Sequence, residues 1–400
     1  MHDEASVLVQ LNSGSPGAAE RRAECRAGGY PAVDRRTFLQ VALQAAAAVG
    51  LSNMAALRVA EAVEKGVRPS VIWLHFQECT GCTESLLRTS HPGLAEVIFD
   101  LLSLEYHETL MAAAGRQAEE ALQNAMRRHA GKYIVVVEGA IPTRENGMYM
   151  KVGGRTGVEM VQQVAASAGA IVAIGSCASW GGIPSADPNP TGAVGTPKIL
   201  ERKTVVTLPG CPPNPYILLG TLLQYVTLGE LPALDELGRP QFAYGRTIHE
   251  HCPRRAHFDA GRFASEFGDE GHRQGYCLYK LGCKGPMTHA PCSVLHFCEV
   301  VDAWPIGLGH PCIGCTEHDI AFRMPLFQTA EIVRPTPPTT YAPVSAPQGK
   351  LSAIAAALAG LVGGAIAGAG WMAARKFPEA EEGPNAAEEK TGKKEPERKE

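Results

Sequence analysis

The chain has no excess of basic charge. Its formal net charge is −4 over 400 residues, which argues against a nucleic-acid binder, since those carry a basic footprint for phosphate. It also lacks hydrophobic periodicity between His249 and Cys315, where Gly, Pro and short polar pieces break up the apolar residues. Neither a helix bundle nor a sheet would fold that stretch alone. A region of this size that cannot bury enough apolar surface borrows stability from disulfides or metals. What the chain has in quantity is cysteine, 12 in all. Eight soft-metal ligands crowd that one stretch: His249, Cys252, Cys277, Cys283, Cys292, Cys298, Cys312 and Cys315. The remainder, 45% apolar and 20% charged, is of ordinary globular composition and long enough for about two to three domains.

The N-terminus bears on what the cysteines do. After a polar stretch comes Asp34-Arg35-Arg36-Thr37-Phe38-Leu39-Gln40 and an apolar run over 41–51. Paired arginines before an apolar stretch form the pattern of a twin-arginine export signal. Ala60-Glu61-Ala62 supplies a cleavage site, so 1–62 reads as a signal peptide that is removed, taking Cys25 with it. Exported cysteines ordinarily read as disulfides. That route carries chains already folded, often with cofactors inserted, so cysteines that hold metal before export escape the inference.

From 63 to 238 the pattern alternates. Strands are expected at 69–76, 97–104, 133–138, 170–174 and 204–208, with helices at 116–129 and 156–167. A further helix starts in Cys79-Thr80-Gly81-Cys82-Thr83-Glu84, with Thr80 or Thr83 as N-cap. Such alternation implies a flavodoxin-like, doubly wound parallel sheet covered on both faces. Three strands run into cysteine: Cys79 and Cys82, then Cys177, then Cys211. Ligands bind beyond the carboxyl ends of strands in such sheets, so four thiolates can meet at one point, the number a 4Fe–4S cluster requires. Zinc could use the same four residues, although closed zinc sites usually come from compact knuckles. A redox C-x-x-C would leave Cys177 and Cys211 unexplained.

From 239 to 333 two groupings emerge. His249, Cys252, Cys277 and Cys283 make a four-ligand set with one imidazole. Replacing thiolate by neutral imidazole lowers the negative charge around a cluster and can raise its potential. Cys292, Cys312 and Cys315 make a three-ligand set suited to a 3Fe–4S cluster, with Pro305 at the vacant corner. Cys298 is left over: a free thiol, a replacement for Cys292, or a fourth ligand.

Beyond 333 comes a Pro- and Thr-rich linker (334–350) and an uncharged run over 351–374. At ~1.5 Å per residue that run is long enough to cross a ~30 Å hydrocarbon core. Gly364 and Gly368 offer a close-packing face. Arg375 and Lys376 place the charged tail (375–400) on the cytoplasmic side.

Over 63–333 the chain resembles the small subunit of membrane-bound, uptake-type nickel–iron (NiFe) hydrogenases. The resemblance is carried by Glu78-Cys79-Thr80-Gly81-Cys82-Thr83-Glu84-Ser85, Gly175-Ser176-Cys177-Ala178-Ser179-Trp180-Gly181-Gly182 and Pro209-Gly210-Cys211-Pro212-Pro213-Asn214. It continues through Cys277-x5-Cys283-Lys284-Gly285-Pro286 and Trp304-Pro305 ahead of Gly309-His310-Pro311-Cys312 and Cys315. The resemblance implies a proximal 4Fe–4S, a medial 3Fe–4S and a distal 4Fe–4S cluster with one His ligand. It implies a large-subunit partner holding the Ni–Fe centre, and electrons from H2 passing to a membrane acceptor such as a b-type cytochrome. Glu78 resembles a family residue proposed for proton transfer; it could equally bond local backbone amides. Oxygen-tolerant relatives carry two further cysteines where this chain has Gly81 and Gly182, so the resemblance implies oxygen-sensitive activity. Two other readings are the iron–sulfur subunit of a related quinone oxidoreductase, and an exported scaffold stapled by zinc or disulfides.

Overall fold

The computed structural model describes residues 68–330, apart from 91–92, 95–96 and 298–299, together with 332. The expected signal peptide, linker, anchor and tail, and Cys298, lie outside the described residues. Among the described residues no helix is long and apolar enough to cross a membrane.

Five parallel strands form the central sheet: β1 (Ser70–His75), β2 (Ser103–His107), β3 (Ile134–Glu138), β4 (Ala170–Ile174) and β5 (Val206–Leu208). Their order across the sheet is β2-β1-β3-β4-β5. The order in which strands are added reverses between β1 and β3, the topological switch point of an α/β sheet. Apart from the edge strand β2, the longer strands are nearly continuous apolar runs with both faces buried. Ile72, Leu74, Val135, Val137, Ile171 and Ala173 face one core. Val71, Trp73, Ile134, Val136, Val172 and Ile174 face the other.

Helices cover each face. Against the first core pack α2 (Arg116–Arg128) through Leu122, and α3 (Gly157–Ala165) through Met160, Val161 and Val164. Thr156 opens α3 with a reciprocal capping box, accepting from the Glu159 amide while Glu159 accepts from its own. Against the second core pack α1 (Gly81–Leu87) through Leu86, and α5 (Pro215–Leu228) through Ile217, Leu218 and Leu222. Between them in the chain lies the short α4 (Gly175–Trp180), directly after β4.

Two local expectations are corrected. The strand expected at 97–104 begins only at Ser103, because Val97–Leu101 form a wide helical turn closed by the Leu102 amide on the Val97 carbonyl at 3.0 Å. A short apolar run does not distinguish the two conformations. Thr80 precedes α1 in the left-handed region (φ 62°) and makes no side-chain cap; its hydroxyl donates to Glu78 instead.

The segment from 244 onward has little regular structure and its own small core of Ile248, Ala264, Leu278, Leu281, Trp304 and Ile306 with Cys283 and Cys312. Polar staples supplement that core. Buried Arg239 donates to the Thr316 carbonyl and the Glu317 carboxylate, which also accepts from the His289 amide at 2.6 Å.

Candidate metal centres

All ten cysteines among the described residues are free thiols. The structure brings them into three neighbourhoods.

The first lies at the carboxyl edge of the sheet. β1 leads to Cys79 and to Cys82 inside α1, β4 leads to Cys177 in α4, and β5 leads to Cys211. Burial pushes the Cys82 thiol well up, and then the charges of Glu138, Cys177, Cys211 and Cys79 add to it. Cys177 is pushed up to about 12 by burial, with Cys211 and Cys79 acting in the same direction. Thiols as crowded and dry as Cys82 and Cys177 stay protonated unless a cation draws their protons off, which a bound metal centre does. The backbone is shaped to the same end. A Cβ at Gly175 (φ +83°) would stand 2.4 Å from the Cys82 Sγ, and one at Gly182 (φ +49°) 2.7 Å from the Cys177 Sγ.

Glu138, which ends β3, anchors this group from behind. Its carboxylate is 1% exposed and accepts from the Cys82 amide (3.0 Å), the Thr83 amide (3.2 Å) and hydroxyl (2.6 Å), and the Trp73 indole (3.0 Å). Beside it His75 contacts Glu78 and His107, each at 3.3 Å, and His107 contacts the Thr83 hydroxyl at 3.3 Å. The Glu78 partners are therefore side chains rather than local backbone amides, and its Oε2 is buried without a partner. Burial, then the charge of Glu138, raise the Glu78 carboxyl above its ordinary range. The sequence reading missed Glu138, His75 and His107. The one available signal for Glu138 was a carboxylate closing an otherwise apolar strand at a ligand-binding edge.

The second group lines one cavity of about 310 Å³, its open mouth included, walled by His249, Cys252, Cys277 and Cys283. His249 is 8% exposed, and its Nε2 is buried with no hydrogen-bond partner. Burial, then the charge of Arg255, lower the His249 ring to about 4, so it is the neutral form that a metal ligand requires. Phe258 meets that ring edge to face at 4.6 Å. Burial pushes Cys252 up to about 12 and Cys277 to about 11.

The third group joins Cys292, Cys312 and Cys315. Burial pushes Cys292 and Cys315 up to about 12 and Cys312 higher; Cys312 acts on Cys292, and Cys292 on Cys315. Pro305 is exposed, between buried Trp304 and Ile306.

The three groups form a file. The Cys312 amide donates to the Cys283 Sγ at 3.4 Å, joining the third group to the second. Cys211 lies close enough to raise the Cys315 thiol, and Ser176 Oγ, next to Cys177, donates to the Cys315 carbonyl at 2.5 Å. Those contacts join the third group to the first. Thiolate sets with one imidazole, lined up in this way, have the donor chemistry of iron–sulfur centres.

Comparison with known proteins agrees with that chemistry. Residues 79–225 match the family model "NADH ubiquinone oxidoreductase, 20 Kd subunit". Residues 244–328 match the family model for the C-terminal part of the NiFe/NiFeSe hydrogenase small subunit. The chain is 50% identical over 355 residues to the hydrogenase-2 small chain of Escherichia coli K12, covering 88% of this chain and 95% of that one. It is 49% identical over 289 residues to the quinone-reactive Ni/Fe-hydrogenase small chain of Wolinella succinogenes, covering 72% and 81%. Among solved structures, the NiFeSe hydrogenase of Desulfovibrio vulgaris Hildenborough aligns with a TM-score of 0.61 at 37% identity, over 66% of this chain and 98% of that one.

Proposed function

The chain belongs to the small subunits of NiFe hydrogenases, the electron-transfer partner in that heterodimeric enzyme, and on that premise we propose which residues hold which cluster. Cys79, Cys82, Cys177 and Cys211 hold a proximal 4Fe–4S cluster. His249, Cys252, Cys277 and Cys283 hold a distal 4Fe–4S cluster, and Cys292, Cys312 and Cys315 a medial 3Fe–4S cluster. When bound, such clusters take up and release single electrons. The protein orients the thiolates, excludes water and sets the charge around them.

The observation that carries this reading is the file itself. Cys211 neighbours Cys315, and Cys312 neighbours Cys283, so consecutive ligand sets adjoin without a gap. The disulfide scaffold is disfavoured by the ten free thiols among the described residues, and the zinc scaffold by the match of 244–328 to the NiFe/NiFeSe hydrogenase small subunit. A quinone reductase subunit of the related type would lack the block over 244–328 that matches the hydrogenase family.

The sequence outside the described residues completes the proposal. The paired arginines at Arg35 and Arg36 direct export, 351–374 anchors the body to the membrane from the periplasmic side, and the tail stays cytoplasmic. The domain limits at 238 and 333 follow the same reading. The electron acceptor is a membrane component, which likeness to a quinone-reactive relative supports, and we assign it as a b-type cytochrome. Glu78 would serve proton transfer toward the large subunit. Anaerobic purification from solubilised membranes, with metal analysis, tests the proposal. About eleven iron atoms per chain are expected with a large subunit and a cytochrome co-purifying. A folded complex whose thiols hold zinc or are paired as disulfides would overturn it.

A further inference from the structure

Lys284 is a charged side chain with 0% exposure in a region otherwise held by a small core. Its Nζ donates to the carbonyls of Gly282 (3.0 Å), Leu326 (2.8 Å) and Gln328 (3.2 Å), which uses all three N–H donors of an ammonium. Its amide donates to the Cys312 carbonyl at 2.8 Å, and its carbonyl accepts from the Thr288 hydroxyl at 2.6 Å. The residue is therefore clamped between Cys283, its neighbour in sequence, and Cys312, its partner in space.

Those hydrogen bonds satisfy the ammonium without neutralising it. Carbonyls are dipoles, and among the described residues no carboxylate pairs with Lys284; the groups that act on it are the sulfurs of Cys283 and Cys312, which would carry negative charge once they hold metal. Burying a lone cation is costly, and proteins offset the cost with an opposite charge nearby. An apolar side chain would fill the same volume without the cost. The position thus has the marks of one at which the charge is wanted.

We propose that Lys284 is the shared counter-charge of the distal and medial clusters, held at the junction of their ligand sets to raise both reduction potentials. The inference rests on the ligand assignment made above. Each cluster gains one negative charge when it accepts an electron, and a fixed cation in a dry site stabilises that reduced form more than the oxidised one. Lys284 touches no substrate; it acts through the clusters as a positioning residue. The three carbonyl bonds fix where the charge sits, and the Cys312 carbonyl bond fixes the Cys283–Cys312 junction around it.

The test is a potentiometric titration, followed by EPR, of the purified heterodimer carrying K284M, K284Q or K284R. Iron content and line shapes in the unmodified protein report on the ligand assignment separately from the midpoints. In K284M and K284Q the medial and distal midpoints are expected to fall, with the proximal midpoint unchanged and K284R close to the parent. A fully loaded K284M with unmoved midpoints would overturn the proposal. If the neutral variants fail to load clusters, loading of K284R alone supports the need for charge. Failure of all three overturns it, because the position then requires the shape of lysine rather than its charge.

Discussion

The backbone amide of Cys312 donates to the sulfur of Cys283 at 3.4 Å, so a residue of the proposed medial set bonds directly to a residue of the proposed distal set. An amide pointing at a thiolate stabilises its negative charge and raises the potential of the cluster it holds. The same contact makes the two sites one mechanical unit.

A C283S variant is accordingly expected to do more than lose the distal cluster. The medial EPR signal should change in line shape or midpoint, because the Cys312 amide loses its soft acceptor. An unaltered medial signal beside a missing distal one would show that the junction carries no coupling.

Gly175 takes a left-handed φ of +83° with the Cys82 sulfur where a Cβ would stand, 2.4 Å away. A G175A variant bears about 1 kcal/mol of backbone strain and must also displace a ligand. Iron analysis should show the chain short of its proximal cluster while the other two remain. Full loading of G175A would mean that the loop gives way more easily than its geometry implies.

Glu138 satisfies four donors at once, three of them on α1 at Cys82 and Thr83. In E138Q one face of the new amide presents hydrogens to groups that also donate, at a cost of about 1–3 kcal/mol. Lowered thermal stability and slower proximal loading are expected, and E138A should be worse. Differential scanning calorimetry with iron analysis measures both.

His107 is 1% exposed, and burial, then the charge of His75, lower its ring to about 3. An unfolded histidine titrates near ~6.5, so the unfolded chain binds a proton that the folded chain refuses. The contribution to stability is whole above that value and fades as pH falls from about 6.5 toward 3, a loss of about 1–2 kcal/mol by pH 5. H107Q, which cannot take up that proton, should flatten this part of the profile in chemical denaturation at a series of pH values. An unchanged slope would contradict the assignment.

Much of this was legible before the fold was known, and for a physical reason. Cysteine is rare and its spacing survives any loop conformation, so the ligand sets could be grouped without knowing a single angle. The buried strands 70–75, 134–138 and 170–174 were equally plain, because a sheet covered on both faces is apolar throughout. The turn at 97–101 was not, since a short apolar run looks alike in either conformation. Nor were the supporting groups. Glu138, His75, His107 and Lys284 owe their roles to contacts across the chain, and each would pass for an ordinary polar residue in the sequence. The resemblance to hydrogenase small subunits suggested the ligand sets; the hydrogen bonds around those residues appear only in the fold.

The most direct test of the whole account is Mössbauer spectroscopy on the heterodimer grown with isotopically enriched iron, with and without the substitution His249→Ala. The parent should show two 4Fe–4S components and one 3Fe–4S component, and the variant should lose or alter one four-iron component alone. The buried, unpartnered Nε2 of His249 would then be a ligand atom. A spectrum identical in both, or a well-folded chain without iron, would contradict the claim that these residues hold the clusters.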